Sequence, residues 1–190
     1  MTNAVAELLA ELRQDHKNMG FCLDILERES NCLYEDSEPD LELMHDVMAY
    51  MTVYPDAVHH PREDKLYAEL RARRPDLAGG MDRITLDHRR IAEEGHELRT
   101  DIESAISGSP VHRNKVVSDA LRYVFGLRSH MQWEELDLFR RCELLAAEGE
   151  EINFEGIRVV KHDPLFGGQT EERFGKLLKS IRDAMEGRPT

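Results

Sequence analysis

Apolar residues recur every three or four positions along most of the chain, which is the spacing of one face of an α-helix. Three short stretches interrupt this pattern: "EDSEPD" at 35–40, "RRPDLAGG" at 73–80 and "SGSP" at 107–110. The runs between them predict four helices, over Asn3–Arg28, Leu41–Arg73, Met81 to the third break, and about Val111–Ala147. Four long helices with short connections predict an all-α protein, an up-down-up-down four-helix bundle.

The pattern changes after Gly149. The stretch "EEINFEGIRVVKHDPLFGG" (150–168) is predicted to be extended or irregular, and Glu171–Met185 to form a short amphipathic helix. We therefore expect residues 1–148 to form the bundle and residues 149–190 to form a C-terminal extension, with this fifth helix, that packs on the bundle.

Composition and charge limit the fold class and the binding partners that the chain is expected to have. A chain of 190 residues suits one well-buried core, and 33% charged against 6% aromatic residues suits amphipathic helices. The net charge of −13 repels phosphate groups, so neither nucleic acid nor an anionic membrane is expected as a partner. The amino terminus lacks an apolar signal core, and no stretch reaches membrane-spanning length. Three cysteines without Cys-x-x-Cys spacing are expected to be reduced thiols of a cytoplasmic protein. The sequence does not decide between a monomer and a homodimer.

Histidines interrupt two of the apolar stripes, one at His16 in the first helix and one at His88 in the third. A single inward-facing histidine is usually a core residue with satisfied hydrogen bonds, but two at the same phase weaken that interpretation. His59 and His130 are each followed four residues later by a glutamate, a spacing that places both side chains on one helix face. Acidic residues are frequent in this chain, so a solvated charged face would give a similar pattern.

The heights of these residues along the bundle provide a stronger argument. In an antiparallel pair of helices, two residues at one level are equally far from the connecting turn. The midpoints of His16 and His59, of His59 and His88, and of His88 and His130 all fall within the three breaks. The four histidines are therefore predicted to lie at one level and to face inward, together with the glutamates of the two spaced pairs.

Six buried polar side chains at one level of a core are very costly unless something satisfies them, and a metal centre would satisfy all of them. Four imidazoles and two carboxylates without a thiolate form a set too large and too oxygen-rich for a structural zinc site. Two iron ions bridged by the glutamates fit this set better, and manganese or zinc could substitute.

At these residues the chain resembles the hemerythrin-like, HHE cation-binding family. "YPDAVHHPRED" (54–64) and "HMQWEE" (130–135) are similar to its two signature segments, and the resemblance extends from Val5 to about Glu148. It implies a four-helix bundle around a non-haem di-iron centre (Fe2+/Fe3+), with or without an oxo or hydroxo bridge. It implies six metal ligands. The terminal ligands, each bound to one ion, are His16, His59, His88 and His130, and the bridging carboxylates are Glu63 and Glu134.

The third helix departs from the oxygen carriers of this family, which have His-x-x-x-His there, because the residue four after His88 is Ala92. One imidazole fewer leaves an iron with an open position, which favours redox chemistry or sensing over reversible oxygen carriage. The expected ligand is a small diatomic or peroxide species: dioxygen, peroxide or nitric oxide. Turnover is left open, and no catalytic residue is assigned. The alternatives are a di-iron oxidoreductase, an iron donor or repair protein or redox sensor without turnover, and a metal-free helical interaction module.

Two neighbouring residues repeat the spacing of the second motif. His60 and Asp64 lie one residue out of phase with the apolar stripe, and we interpret them as supporting or surface groups. Pro61 lacks the amide that would bond to Ala57, so a local bend is predicted beside the ligands.

Overall fold

The computed structural model describes residues 4–35, 37–147, 163–167 and 169–186, and these residues contain helices and turns but no strand. The α-helices in the described ranges are α1 (Ala4–Tyr34), α2 (Leu41–Met51), α3 (His60–Arg73), α4 (Asp82–Ile106), α5 (Arg113–Trp133), α6 (Phe139–Ala147) and α7 (Gly175–Glu186). The prediction of an all-α protein is confirmed. Among the described residues, no helix is both long and apolar enough to cross a membrane.

The bundle consists of four antiparallel rods. The first is α1, the second is α2 followed by α3, the third is α4, and the fourth is α5 followed by α6. Helix α1 packs against α2 and α5, and α4 packs against the same two helices, which gives the up-down-up-down arrangement that the sequence predicts. The carboxylate of Asp40 accepts a hydrogen bond of 2.9 Å from the backbone N–H of Leu43 and so caps α2.

The second rod is not the continuous helix that the sequence predicts over Leu41–Arg73. Helix α2 ends at Met51, and a π-helical turn over Pro55–His59 precedes α3. Proline at 55 cannot donate to the preceding turn, which gives a physical reason for the interruption. A second π-helical turn, Glu134–Leu138, divides the fourth rod and begins four residues after His130. Because a π turn contains one residue more than an α turn, the residues on its two sides do not share one regular stripe.

The apolar core forms two clusters, and a polar layer separates them along the rods. In α1, Leu12 belongs to one cluster and Met19 to the other, with His16 between them. In α4, Ile84 belongs to the cluster of Leu12 and Ile91 to the cluster of Met19, with His88 between them. The interruptions of the apolar stripes therefore coincide with one level of the bundle.

The described part of the C-terminal region packs against the first and second rods. Phe174, Leu177 and Ile181 are buried in the cluster that contains Met19, and the hydroxyl of Tyr50 donates to Asp163 at 3.2 Å. Helix α7 begins later than predicted because Glu172–Phe174 forms a 3-10 turn. Most of the stretch predicted to be extended, residues 150–162 and 168, lies outside the described residues.

The surroundings of two glycines in the bundle predict opposite effects on stability when each glycine is replaced by alanine. A Cβ at Gly95 would lie 3.1 Å from Tyr123 and 3.3 Å from Thr52, and both of these residues are buried, whereas a Cβ at Gly20 would meet no atom within 4 Å. Gly95→Ala should therefore lower the free energy of unfolding by about 1–3 kcal/mol through overpacking. Gly20→Ala should raise it by up to about 1 kcal/mol through helix propensity. Urea unfolding measures both, and shifts of the same sign would contradict this account of the packing.

Candidate metal centre

The structure brings the six predicted site residues together in the polar layer between the two clusters. They come from all four rods, all are buried, and the potential ligand atoms form two overlapping groups. Within each group, these atoms lie within 4.8 Å of one another. The groups are His16, His59 and Glu63, and Glu63, His88, His130 and Glu134.

Glu63 lies between histidines from three rods. Its Oε1 is 3.4 Å from Nε2 of His16 and 3.3 Å from Nε2 of His59, while its Oε2 is 3.6 Å from Nε2 of His88. One carboxylate oxygen therefore faces the His16 and His59 pair, and the other faces His88.

Glu134 repeats this arrangement from the opposite rod. Its Oε2 is 3.5 Å from Nε2 of His16, and its Oε1 is 3.5 Å from Nε2 of His88 and 3.4 Å from Nε2 of His130. The hydroxyl of Tyr67 donates to Oε1 at 3.2 Å, which fixes the orientation of the carboxylate. Both glutamates thus present one oxygen to each of two histidine pairs.

Several buried ligand atoms in this layer have no hydrogen-bond partner among the described residues. They are both carboxylate oxygens of Glu63, Oε2 of Glu134, and Nε2 of His16, His88 and His130. Buried polar atoms are rarely left unsatisfied, because each costs on the order of 1–3 kcal/mol. Ligand atoms about 2.1 Å from one ion lie about 3.0–3.4 Å apart, close to the nitrogen-to-oxygen separations seen here. The residues present therefore fit a metal centre.

The second nitrogen of three of these histidines is held by a carboxylate outside the layer. Nδ1 of His16 is 3.0 Å from Glu135, Nδ1 of His59 is 3.1 Å from Asp15, and Nδ1 of His88 is 3.2 Å from Asp64. Such a partner fixes the tautomer with Nδ1 protonated and leaves Nε2 free to bind a metal.

Asp15, Glu135 and Tyr67 were not predicted as parts of the site. They come from helices other than those of the side chains that they support, so no spacing within one helix indicates them. The sequence gives one indication of the two acids: each stands directly beside a predicted ligand, in "DH" (15–16) and "EE" (134–135).

The carboxylates also determine the protonation of the histidines. Burial by itself lowers the pKa of an imidazole, but Glu135 and Glu63 outweigh it at His16 and raise its pKa to about 10. The pKa of His59 is raised to about 9 against the same effect of burial, through Glu63 and Asp15. The pKa of His88 is likewise raised to about 9, through Asp64 and Glu134. A metal that binds here must displace protons from these imidazoles, so binding should strengthen as the pH rises.

His60 was interpreted as a supporting or surface group, and the surface alternative is wrong because only 4% of its surface is exposed. Its ring stacks on that of His88, with ring centres 4.2 Å apart and an interplanar angle of 13°. Burial lowers the pKa of His60 to about 4, and burial also lowers the pKa of His130. The structure therefore places a fifth imidazole, in its neutral form, in the polar layer.

The support that Asp15 gives to His59 leads to a prediction. Asp15 contacts Nδ1 of His59 at 3.1 Å and accepts a hydrogen bond of 3.3 Å from the hydroxyl of Tyr54. Asp15→Ala should weaken metal affinity by about 10–100-fold, because the imidazole loses the group that orients it. Asp24→Ala is the control on the same helix, since Asp24 pairs with Arg128 on the surface. Competition with a coloured chelator measures both affinities, and equal values in the two variants would contradict the supporting role.

The family comparison agrees with this geometry. The model of the hemerythrin HHE cation binding domain matches residues 7–141, a segment that contains all six predicted ligands. Comparisons with curated proteins and with solved structures gave no match.

Proposed function

The chain belongs to the hemerythrin HHE cation-binding domain family, and on that premise we propose that it holds a carboxylate-bridged pair of iron ions that binds or reacts with small oxygen or nitrogen species. The observation that carries this proposal is the placement of the two glutamates. Glu63 and Glu134 each direct one oxygen towards His16 and the other towards His88. A carboxylate in that position can bind one ion with each oxygen, so the donors favour two ions over one.

The chemistry of the donors favours iron. They are imidazole nitrogens and carboxylate oxygens, a combination that suits redox-active iron and also permits manganese or zinc as substitutes. The described cysteines contribute no sulfur to the groups that could hold a metal. Cys22, Cys32 and Cys142 are unpaired, which supports a reducing compartment such as the cytoplasm.

The six residues leave room for an exogenous ligand. His16 and His59 with one oxygen from each glutamate would supply four donors to one ion, and His88 and His130 with the remaining oxygens would supply four to the other. Iron with an incomplete set of protein ligands has positions for dioxygen, peroxide or nitric oxide, and an iron pair can exchange electrons with them.

The surrounding protein controls access to the centre. Apolar clusters lie on both sides of the layer along the rods and limit the entry of bulk water. His130 lines an open cavity of about 420 Å³, and Arg90, Phe125 and Trp133 also line it. A small molecule can therefore approach the layer from the surface between α4 and α5.

Ligand titration of the iron-loaded protein tests this proposal. Azide or nitric oxide added to the anaerobic protein should change its visible absorption and saturate with a defined stoichiometry, because an open position accepts one small molecule. Glu134→Ala protein treated identically is the control, since it lacks one of the proposed bridges. A wild-type spectrum that does not respond to either molecule would contradict binding at the iron pair.

A further inference from the structure

The cavity that His130 lines lies between two regular helices. One wall is a face of α4, at Arg83, Asp87 and Arg90, and the other is a face of α5, whose lining residues recur every three or four positions. Its volume of about 420 Å³ lies within the range of sites for small organic molecules. The cavity reaches the polar layer at His130, whose Nε2 is 3.4 Å from Glu134.

Gly126 keeps this cavity open. It stands inside α5, where glycine costs roughly 1 kcal/mol of helix stability relative to alanine. Among the described residues, a Cβ at this position would meet one atom within 4 Å, Nη1 of Arg90 at 3.8 Å, so packing does not require a glycine here. A longer side chain would occupy the cavity that Gly126 lines.

The lining is positively charged although the chain as a whole is strongly negative. Among the described residues around the cavity, Arg83, Arg90 and Arg122 stand against one acid, Asp87, whereas the net charge of the chain is −13. A guanidinium group binds a carboxylate through two parallel N–H bonds, so an arginine-rich lining favours an anionic ligand.

The arginines of the lining already pair with acids, but these pairs are exposed. Asp87 is 3.3 Å from Arg83, Glu94 is 3.1 Å from Arg90, and Asp119 is 3.0 Å from Arg122. The three arginine side chains are 46–78% exposed, and exposed ion pairs contribute only about 0–1 kcal/mol each. A ligand carboxylate can therefore replace an acid of the chain as a partner at little cost.

Two aromatic rings line the same cavity. Phe125 is 75% exposed, and Trp133 is partly buried against the cluster that contains Leu12. A flat ring that covers them would remove apolar surface from water and make the ring contacts that aromatic side chains favour. Aromatic rings beside guanidinium groups thus match a ligand that carries both a ring and a negative charge.

We propose that this cavity is a binding site for a small aromatic carboxylate. The ring lies against Phe125 and Trp133, and the carboxylate binds Arg90, the arginine nearest to the space that Gly126 leaves open. A molecule bound there lies beside His130, on the surface from which small molecules approach the layer. Its recognition involves no metal, so the inference goes beyond the proposed function.

Fluorescence titration with benzoate tests the inference, because Trp133 is the single tryptophan of the chain and lines the cavity. Benzoate added to the purified protein should change the tryptophan emission and reach saturation. Benzamide has the same ring without the charge, and acetate has the charge without the ring, so each should bind about tenfold more weakly or worse. A benzoate response that does not saturate, or equal affinity for all three molecules, would overturn the inference.

Three variants locate the binding. Gly126→Leu should weaken benzoate binding by about tenfold or more, because it fills the cavity with a residue that favours helix more than glycine does. Arg90→Gln should weaken it to a similar extent through loss of the charged hydrogen bonds. Arg128→Gln is the control, since Arg128 of α5 pairs with Asp24 and Glu27 of α1. Benzoate affinity unchanged in both cavity variants would overturn the inference.

Metal analysis of the same samples separates this inference from the proposed function. A protein that holds no iron but binds benzoate with the expected selectivity contradicts the proposed function and supports the cavity site. A protein that holds two irons but fails to bind benzoate overturns the cavity site alone.

Discussion

Glu134→Ala is expected to reduce the metal content of the protein from about two ions per chain to less than one. The carboxylate of Glu134 faces histidines of both pairs at 3.4–3.5 Å, so its removal takes a donor from each ion at once. Among the residues that the structure describes, it also leaves Glu63 as the single carboxylate between the two histidine pairs. Loss of any terminal histidine should affect one ion more than the other, and we therefore expect the loss of a bridge to have the larger effect.

A matched variant on the same rod distinguishes this effect from a general change in charge. Glu143 lies on α6 and pairs with Arg13 on the surface at 2.8 Å, so Glu143→Ala removes the same side chain without touching the layer. Elemental analysis after identical loading and dialysis measures both variants. Equal metal contents in the two proteins would mean that Glu134 is not a bridging ligand.

Removal of the metal should lower the thermal stability of the protein strongly. Without an ion, the buried oxygens of Glu63 and the Nε2 atoms of His16, His88 and His130 have no hydrogen-bond partner in the described structure. An ion present at 100 times its dissociation constant stabilises the folded state by about 2.7 kcal/mol, so two ions contribute about 5 kcal/mol. For a chain of this size, that corresponds to a fall in Tm of about 10–20 °C.

Differential scanning calorimetry before and after treatment with a chelator measures this change. Glu134→Ala is the control, because a protein that has already lost its metal should respond to the chelator by a few degrees at most. Return of the original Tm after iron is added back shows that the change comes from the metal. A wild-type Tm that is unaffected by the chelator would contradict a structural contribution of the ions.

The parts of this site that lie on regular helices could be predicted from the sequence. His16 and His88 interrupt stripes that are otherwise apolar, and such an interruption is informative because the helical period is fixed. The equal distances of the histidines from the predicted turns then placed them at one level, and the structure brings them together with Glu63 and Glu134.

The parts that depend on irregular backbone or on contacts between helices could not be predicted. For His60, the surface alternative is wrong because its ring is buried against that of His88 on another rod, a contact that the pattern within one helix does not indicate. Pro61 indicated a bend near the π turn at Pro55–His59, but a missing amide does not specify where the extra residue of that turn is accommodated. Asp15 and Glu135 support histidines on other rods, and the pattern within one helix carries no information about such partners.

The central claim is that the polar layer holds two iron ions, and the most direct measurement is the iron content of the purified protein. We expect about two irons per chain after anaerobic loading with ferrous iron and removal of the excess, because Glu63 and Glu134 each face two sets of histidines. Elemental analysis against a protein concentration from amino-acid analysis gives this ratio without assumptions about spectra. A folded protein that retains no iron and cannot be loaded with it would contradict the account.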